Sequence, residues 1–67
     1  MNWHIEYFDE YKRRDGVSRE EVSREAILAV ARDMGLRYRI YRIVGPGTVM
    51  ETPEINAWCK ANPRGRY

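Results

Sequence analysis

Trp3, Ile5 and Tyr7 alternate with His4 and Glu6, the period-two pattern of a strand with one buried face. Phe8 falls on the polar side of that alternation, so the end of the strand is expected to be covered on both sides. Residues 9–16 are densely charged and close on Asp15-Gly16, a strong turn pair. They read as a solvated loop or the tip of a hairpin.

A helix follows. Val-Ser-Arg-Glu occurs at 17–20 and again at 22–25, which offers two N-caps. Ser18 with Glu21 has the spacing of a capping box. Ser23 is a plain N-cap ahead of Ala26-Ile27-Leu28-Ala29-Val30-Ala31, the best helix-forming stretch of the chain. Ile27, Val30, Ala31 and Met34 make one apolar stripe, and Gly35 stands where a left-handed C′ residue is tolerated. The helix is expected over 24–34. Residues 17–22 read either as its first turns or as the return strand of a hairpin.

Residues 36–44 are rich in β-branched and aromatic side chains and read as a second strand. Leu36, Tyr38 and Ile40 share one face, with Arg37 and Arg39 opposite. Ile43 lies three residues past Ile40, so a bulge near Tyr41-Arg42 is needed to return it to the core side. Gly45-Pro46-Gly47 suits a type II turn with Gly47 at its third position, and 48–51 returns as a short strand. Thr52-Pro53-Glu54 is a helix start, with Thr52 as N-cap, Pro53 at N1 and Glu54 facing the positive end of the dipole. Ile55, Trp58 and Cys59 form one face of that helix, which stops at Asn62-Pro63.

The expected fold class is α+β: one small domain over 1–62 in β-α-β-β-α order, with an extra strand after Gly16 if 17–22 is extended. One antiparallel-rich sheet carries the helices on one face, and 63–67 is a frayed basic tail. Ile27, Val30, Met34, Ile55 and Trp58 are expected to pack on Trp3, Ile5, Ile40 and Ile43.

Ser-Arg-Glu-Ala-Ile at 23–27, Arg-Ile-Val-Gly-Pro-Gly at 42–47 and Glu-Ile-Asn-Ala-Trp-Cys at 54–59 resemble segments of short uncharacterised bacterial proteins. Those share a helix, an Arg-Ile-x-Gly-Pro hairpin and a terminal Ile-x-x-Trp-Cys helix. The resemblance covers roughly half of the chain, implies the same element order, and implies nothing about mechanism.

Length then limits the chemistry. With 67 residues, one core is all the chain can build, and a domain of this size gains from a staple or a partner. Cys59 is the only cysteine and His4 the only histidine, so an internal disulfide is excluded and a four-ligand zinc site lacks its ligands. No apolar run approaches a membrane span, and the N-terminal residues lack the layout of a signal peptide. A lone cysteine fits a reducing compartment, so the expected location is cytoplasmic, with no membrane partner. The formal net charge is +2, too small to imply a polyanionic partner. Its distribution is uneven: residues 1–33 carry six Lys/Arg against eight Asp/Glu, and 34–67 carry six against two.

Candidate chemistry is sparse. His4 and Cys59 would need to meet to act as base and nucleophile, and Cys59 beside Trp58 on an apolar helix face reads better as a structural thiol. Asp9, Glu10 and Asp15 are interrupted by Lys12, Arg13 and Arg14 and lack the alternation of a calcium loop. Gly45-Pro46-Gly47 lacks the Lys-Ser/Thr and the following helix of a phosphate loop. Nothing calls for a cofactor, and the chain is not expected to be an enzyme.

What remains is a surface. Arg37, Arg39, Tyr41 and Arg42, with Arg64 and Arg66 from the tail, combine phosphate-binding side chains with a ring able to stack a base. The same residues also serve to cover and protect a sheet face. The leading expectation is a small non-enzymatic binding or adaptor domain engaging a protein partner; the alternative is weak nucleic-acid binding through 37–42. A homodimer is a further expectation, its contact placed on the first strand or the terminal helix, with Phe8 and Tyr11 as exposed aromatic anchors.

Overall fold

A computed structural model describes residues 1–63. Four strands, β1 (Asn2–Phe8), β2 (Arg14–Glu20), β3 (Arg39–Gly45) and β4 (Thr48–Glu51), and two helices, α1 (Arg24–Met34) and α2 (Thr52–Ala61), follow in the order β1-β2-α1-β3-β4-α2. The sheet order is β2-β1-β3-β4, antiparallel throughout. The chain is therefore α+β, with the optional extra strand present.

That strand is longer than expected and starts earlier, at Arg14. The hairpin is closed by Asp9, not by Asp15-Gly16. Asp9 Oδ1 accepts the backbone N–H of Tyr11 (2.8 Å) and of Arg13 (2.9 Å), and Lys12 takes a positive φ of 62°. An Asx turn of this kind satisfies the loop's backbone locally. Gly16 instead lies within β2 under the His4 ring, where a Cβ would come within 2.5 Å of Nε2. Because Ser18 is extended in β2, the Ser18–Glu21 capping box does not form, and 17–20 is strand. Ser23 caps α1 by accepting the Ala26 N–H at 3.1 Å.

Two expectations fail at the end of α1. Gly35 has φ −63°, a right-handed value, and the chain runs on in further turns before β3. Tyr38 N–H still reaches the Met34 carbonyl at 2.8 Å. Strand β3 thus starts at Arg39, and Leu36 is 70% exposed instead of joining the core face. The helical hydrogen bonding of Gly35–Tyr38 outcompetes the strand propensity there, since local i→i−3 and i→i−4 bonds need no partner strand.

The bulge does form. Ile5 faces Ile43, Glu6 faces Arg42, then Tyr7 faces Ile40. Tyr41 is the extra residue, so Ile40 and Ile43 both reach the core. Pro46-Gly47 makes the hairpin tip, Gly47 at φ 68°. Thr52 is not the N-cap of α2: Glu51 holds that position without a side-chain cap bond, and the Thr52 hydroxyl donates to the Tyr41 carbonyl at 2.8 Å. The β3–β4 pairing ends at Arg42 opposite Glu51, which brings Thr52, the next residue, beside Tyr41, and a part-buried carbonyl needs a donor.

Both helices cover one face of the sheet. The core comprises Trp3, Ile5, Ile27, Leu28, Ala31, Ile40, Ile43, Met50 and Ile55. Val30, Met34 and Trp58, expected inside, are only partly buried around it, because α1 turns Leu28 inward beside Ile27 and β4 supplies Met50. Arg24 pairs with Glu54 across the two helices. At the other end Arg32 donates to the Asn62 carbonyl at 2.8 Å and lies 5.7 Å from the Trp58 ring centre. Strand β1 is central, so it presents no free edge, which removes strand pairing through β1 as a dimer contact. The edges are β2 and β4.

Trp3 packs flat on Gly45. A Cβ at 45 would lie 2.2 Å from the ring's Cε3, and Trp3 is 3% exposed, so the ring has no free space to move into. Gly45→Ala is therefore expected to cost about 1–3 kcal/mol through overpacking. Gly16→Ala meets only the far end of the half-buried His4 side chain and should cost less than about 1 kcal/mol. Urea unfolding of the two variants checks this: equal midpoints would contradict the Trp3–Gly45 packing.

Candidate functional site

The alternation that sends Trp3 and Ile5 toward the helices sends Asn2, His4, Glu6 and Phe8 to the opposite face of the sheet. Register adds Arg14 beside Phe8 and Ser18 beside His4 from β2. From β3 it adds Arg39 beside Phe8, Arg42 beside Glu6 and Val44 beside His4; β4 contributes Val49 and Glu51. No described helix or strand covers this face.

Its centre is aromatic. The Phe8 and Tyr41 rings are 4.9 Å apart at 37°, bridging the two central strands. Arg14 Nε donates to Tyr41 Oη at 3.3 Å, with its guanidinium carbon 5.5 Å from the ring centre. The hydrogen bond to Tyr41 is the main reason that the Arg14 pKa is raised. Arg42 lies 5.9 Å from the same ring and is held between two carboxylates, Glu6 at 3.5 Å and Glu51 at 3.3 Å. These pairs are partly exposed, so each adds little stability, but together they fix the Arg42 side chain. At the other end His4 Nδ1 lies 3.3 Å from Ser18 Oγ. Arg14, Arg39, Arg42 and the Met1 amino group, which pairs with Glu20, face the three carboxylates of Glu6, Glu20 and Glu51, which leaves the face close to neutral.

The residues singled out in the sequence land in three places. Arg39, Tyr41 and Arg42 meet on this face, Arg42 by virtue of the bulge. Arg37 does not join them: it sits in the turn after α1 and lines, with Arg39, Phe8, Asp9, Glu10 and Lys12, a shallow recess of about 510 Å³ at the edge of the face. Arg64 and Arg66 lie outside the described residues. Of the two aromatic anchors, Tyr11 is 74% exposed at the hairpin tip, whereas Phe8 is half-buried against Tyr41, a correction to its expected exposure. Arg14, Glu6 and Glu51 were not recognised from the sequence. The only signal for them was the charge alternation of strands whose pairing the sequence does not specify.

The remaining candidates separate. His4 is on the open face, while Cys59 is on α2 beneath the other face, so the sheet stands between them. Asp9 is occupied by the backbone of its own turn. Among the described residues no cluster of three His, Cys, Asp or Glu could hold a metal ion, and no helix is long and apolar enough to cross a membrane. Cys59 lines a recess of about 340 Å³ between the helices, with Ala31, Ile40 and Ile55 as its apolar floor. Burial raises the Cys59 pKa above its ordinary value of 9.0, opposed in part by the Arg32 cation.

Because the thiolate is the reactive form, native Cys59 should react with an aromatic disulfide reagent more slowly than the unfolded chain at mildly alkaline pH. The sign of the linkage follows: a raised thiol pKa contributes stability that is full below the unfolded value and declines as pH rises through the folded one. Equal labelling rates in the native and denatured protein would contradict the sheltered thiol.

Comparison with protein-family models, with curated proteins and with solved structures returns no match for this chain.

Proposed function

We propose that this chain is a non-catalytic binding module that engages a protein partner through the open sheet face. The observation that carries the reading is the Phe8–Tyr41 ring contact flanked by Arg14, Arg39 and Arg42 on a face that no described element covers. Aromatic and arginine side chains on a rigid central sheet are the composition of interface hot spots, and strand-borne side chains are held with little entropy left to lose on binding.

The charge balance of the face favours protein over nucleic acid. Glu6 and Glu51 already occupy Arg42, and a phosphate backbone would have to approach both carboxylates. Nucleic-acid binding through Arg39, Tyr41 and Arg42 would show a steep loss of affinity with salt; a neutral aromatic face would not. A cytoplasmic setting accords with the single, sheltered cysteine.

The test uses Tyr41→Ala and Arg39→Glu, both checked for an unchanged circular dichroism spectrum. Protein captured from a lysate by the wild type is expected to be lost by more than about tenfold with either variant, as for a central hot-spot residue. Capture that both variants retain would refute the face as the site. Saturable binding of a single-stranded oligonucleotide that falls steeply with salt would replace the protein reading with the nucleic-acid one.

A further inference from the structure

The second edge of the molecule points to a different partner. Strand β2 pairs on one side with β1, and among the described residues nothing pairs with its other side. It is seven residues long and contains no proline, so its outward backbone groups can template another strand once the Gly16 N–H, which donates to Asp15 Oδ1 at 2.7 Å, is released.

Edges of this kind are usually protected by charge, since like charges placed opposite each other oppose pairing. Here the order of charges does the reverse. Reading from 13 to 21, the segment is Arg-Arg-Asp-Gly-Val-Ser-Arg-Glu-Glu. Folded antiparallel on a copy of itself about Val17, it sets Arg13 against Glu21, Arg14 against Glu20, Asp15 against Arg19 and Gly16 against Ser18. Every charged residue of the segment then meets the opposite charge, and the two-fold symmetry repeats each pair. Shifting the alignment by two residues in one direction brings Arg13 against Arg19, and in the other brings Asp15 against Glu21. Only the Val17-centred register is free of such clashes, so charge also fixes the alignment.

We infer that two copies of this chain associate through β2, antiparallel about Val17, joining their sheets into one of eight strands. The fold leaves room for this. Arg14, Asp15, Ser18, Arg19 and Glu20 are all exposed. The present partners of these charges are surface contacts: Arg19 with Glu21 at 3.1 Å, Glu20 with the Met1 amino group at 2.8 Å, Arg14 with the Tyr41 hydroxyl at 3.3 Å, and Asp15 with the Tyr7 hydroxyl at 3.5 Å and the Gly16 N–H at 2.7 Å. Exchanging exposed pairs of that kind across an interface costs little. The paired strands also bring Val17 of each copy together on the helix side, and Val17 already packs against the core. Strand β4 is a poorer edge, with four residues and α2 following at once.

The two readings share Arg14, which bonds Tyr41 on the open face, but they are tested apart, because Asp15 and Arg19 lie on the helix side of the sheet, opposite Tyr7 and Trp3, away from Tyr41. Sedimentation equilibrium from micromolar to millimolar concentration is expected to show a monomer passing into a dimer. Arg19→Asp sets two carboxylates opposite each other twice in the dimer and should raise the dissociation constant by about tenfold or more. Asp15→Arg combined with Arg19→Asp restores opposite charges and should restore the dimer; circular dichroism confirms that each variant is folded. A monomer mass persisting in the wild type at millimolar concentration overturns the proposal. A dimer that survives Arg19→Asp, or that is lost with Tyr41→Ala instead, overturns it as well and moves the contact to another surface.

Discussion

The β-bulge at Tyr41 is the feature on which core and surface both depend. A regular strand would alternate Ile40, Arg42 and Val44 on one side against Tyr41 and Ile43 on the other. One extra residue opposite the Glu6–Tyr7 step lets Ile40 and Ile43 both face the helices, and sends Arg42 to the open face together with Tyr41. The Thr52 hydroxyl donates to the carbonyl of the bulged residue, Tyr41, so the start of α2 is tied to the bulge. One local departure from the ladder thus sets the hydrophobic register of β3, the position of the second helix and the ring at the centre of the candidate site.

The small size of the chain explains why the rest is arranged so economically. Two helices suffice to cover one face of a four-stranded sheet, and the largest core side chain, Trp3, fits only because position 45 lacks a Cβ. That fit carries a cost: the Trp3 indole N–H is buried without a hydrogen-bond partner among the described residues, a loss of about 1–3 kcal/mol that packing must offset. Among the described residues no third layer covers the opposite face. Its aromatic pair is instead shielded by arginines, and Arg42 is held in place by carboxylates from both neighbouring strands. Side chains so constrained lose little further freedom when something docks on them.

Polarity within the sheet follows a consistent division. The central strands, β1 and β3, carry the core residues of the sheet apart from Met50 of β4, and the aromatic centre of the open face. The outer strand β2 contributes only Val17 to the core and otherwise alternates charges along an exposed edge. A strand that buries so little gains from the sheet mainly through its hydrogen bonds to β1, which leaves its side chains available for surface chemistry.

The amino-acid sequence by itself determined the elements whose signals are local: the alternation of β1, the Ser23-capped helix, the Pro46-Gly47 turn and the helix after Pro53. It even required the bulge, because two isoleucines three residues apart cannot share a strand face without one. Local signals also misled where other local bonds or tertiary contacts compete with them. Leu36 has strand propensity but continues the turns of α1, Thr52 has N-cap chemistry but serves the bulge, and Asp15-Gly16 has turn chemistry but lies in β2, because Asp9 closes the hairpin first. Strand order, with β1 inside and β2 at the edge, was decided only by the tertiary structure. So was the meeting of Arg14, Phe8 and Tyr41, residues up to 33 positions apart. Such contacts depend on which strands pair and in which register, and a hydrophobic pattern specifies the buried side of each strand without specifying its neighbours.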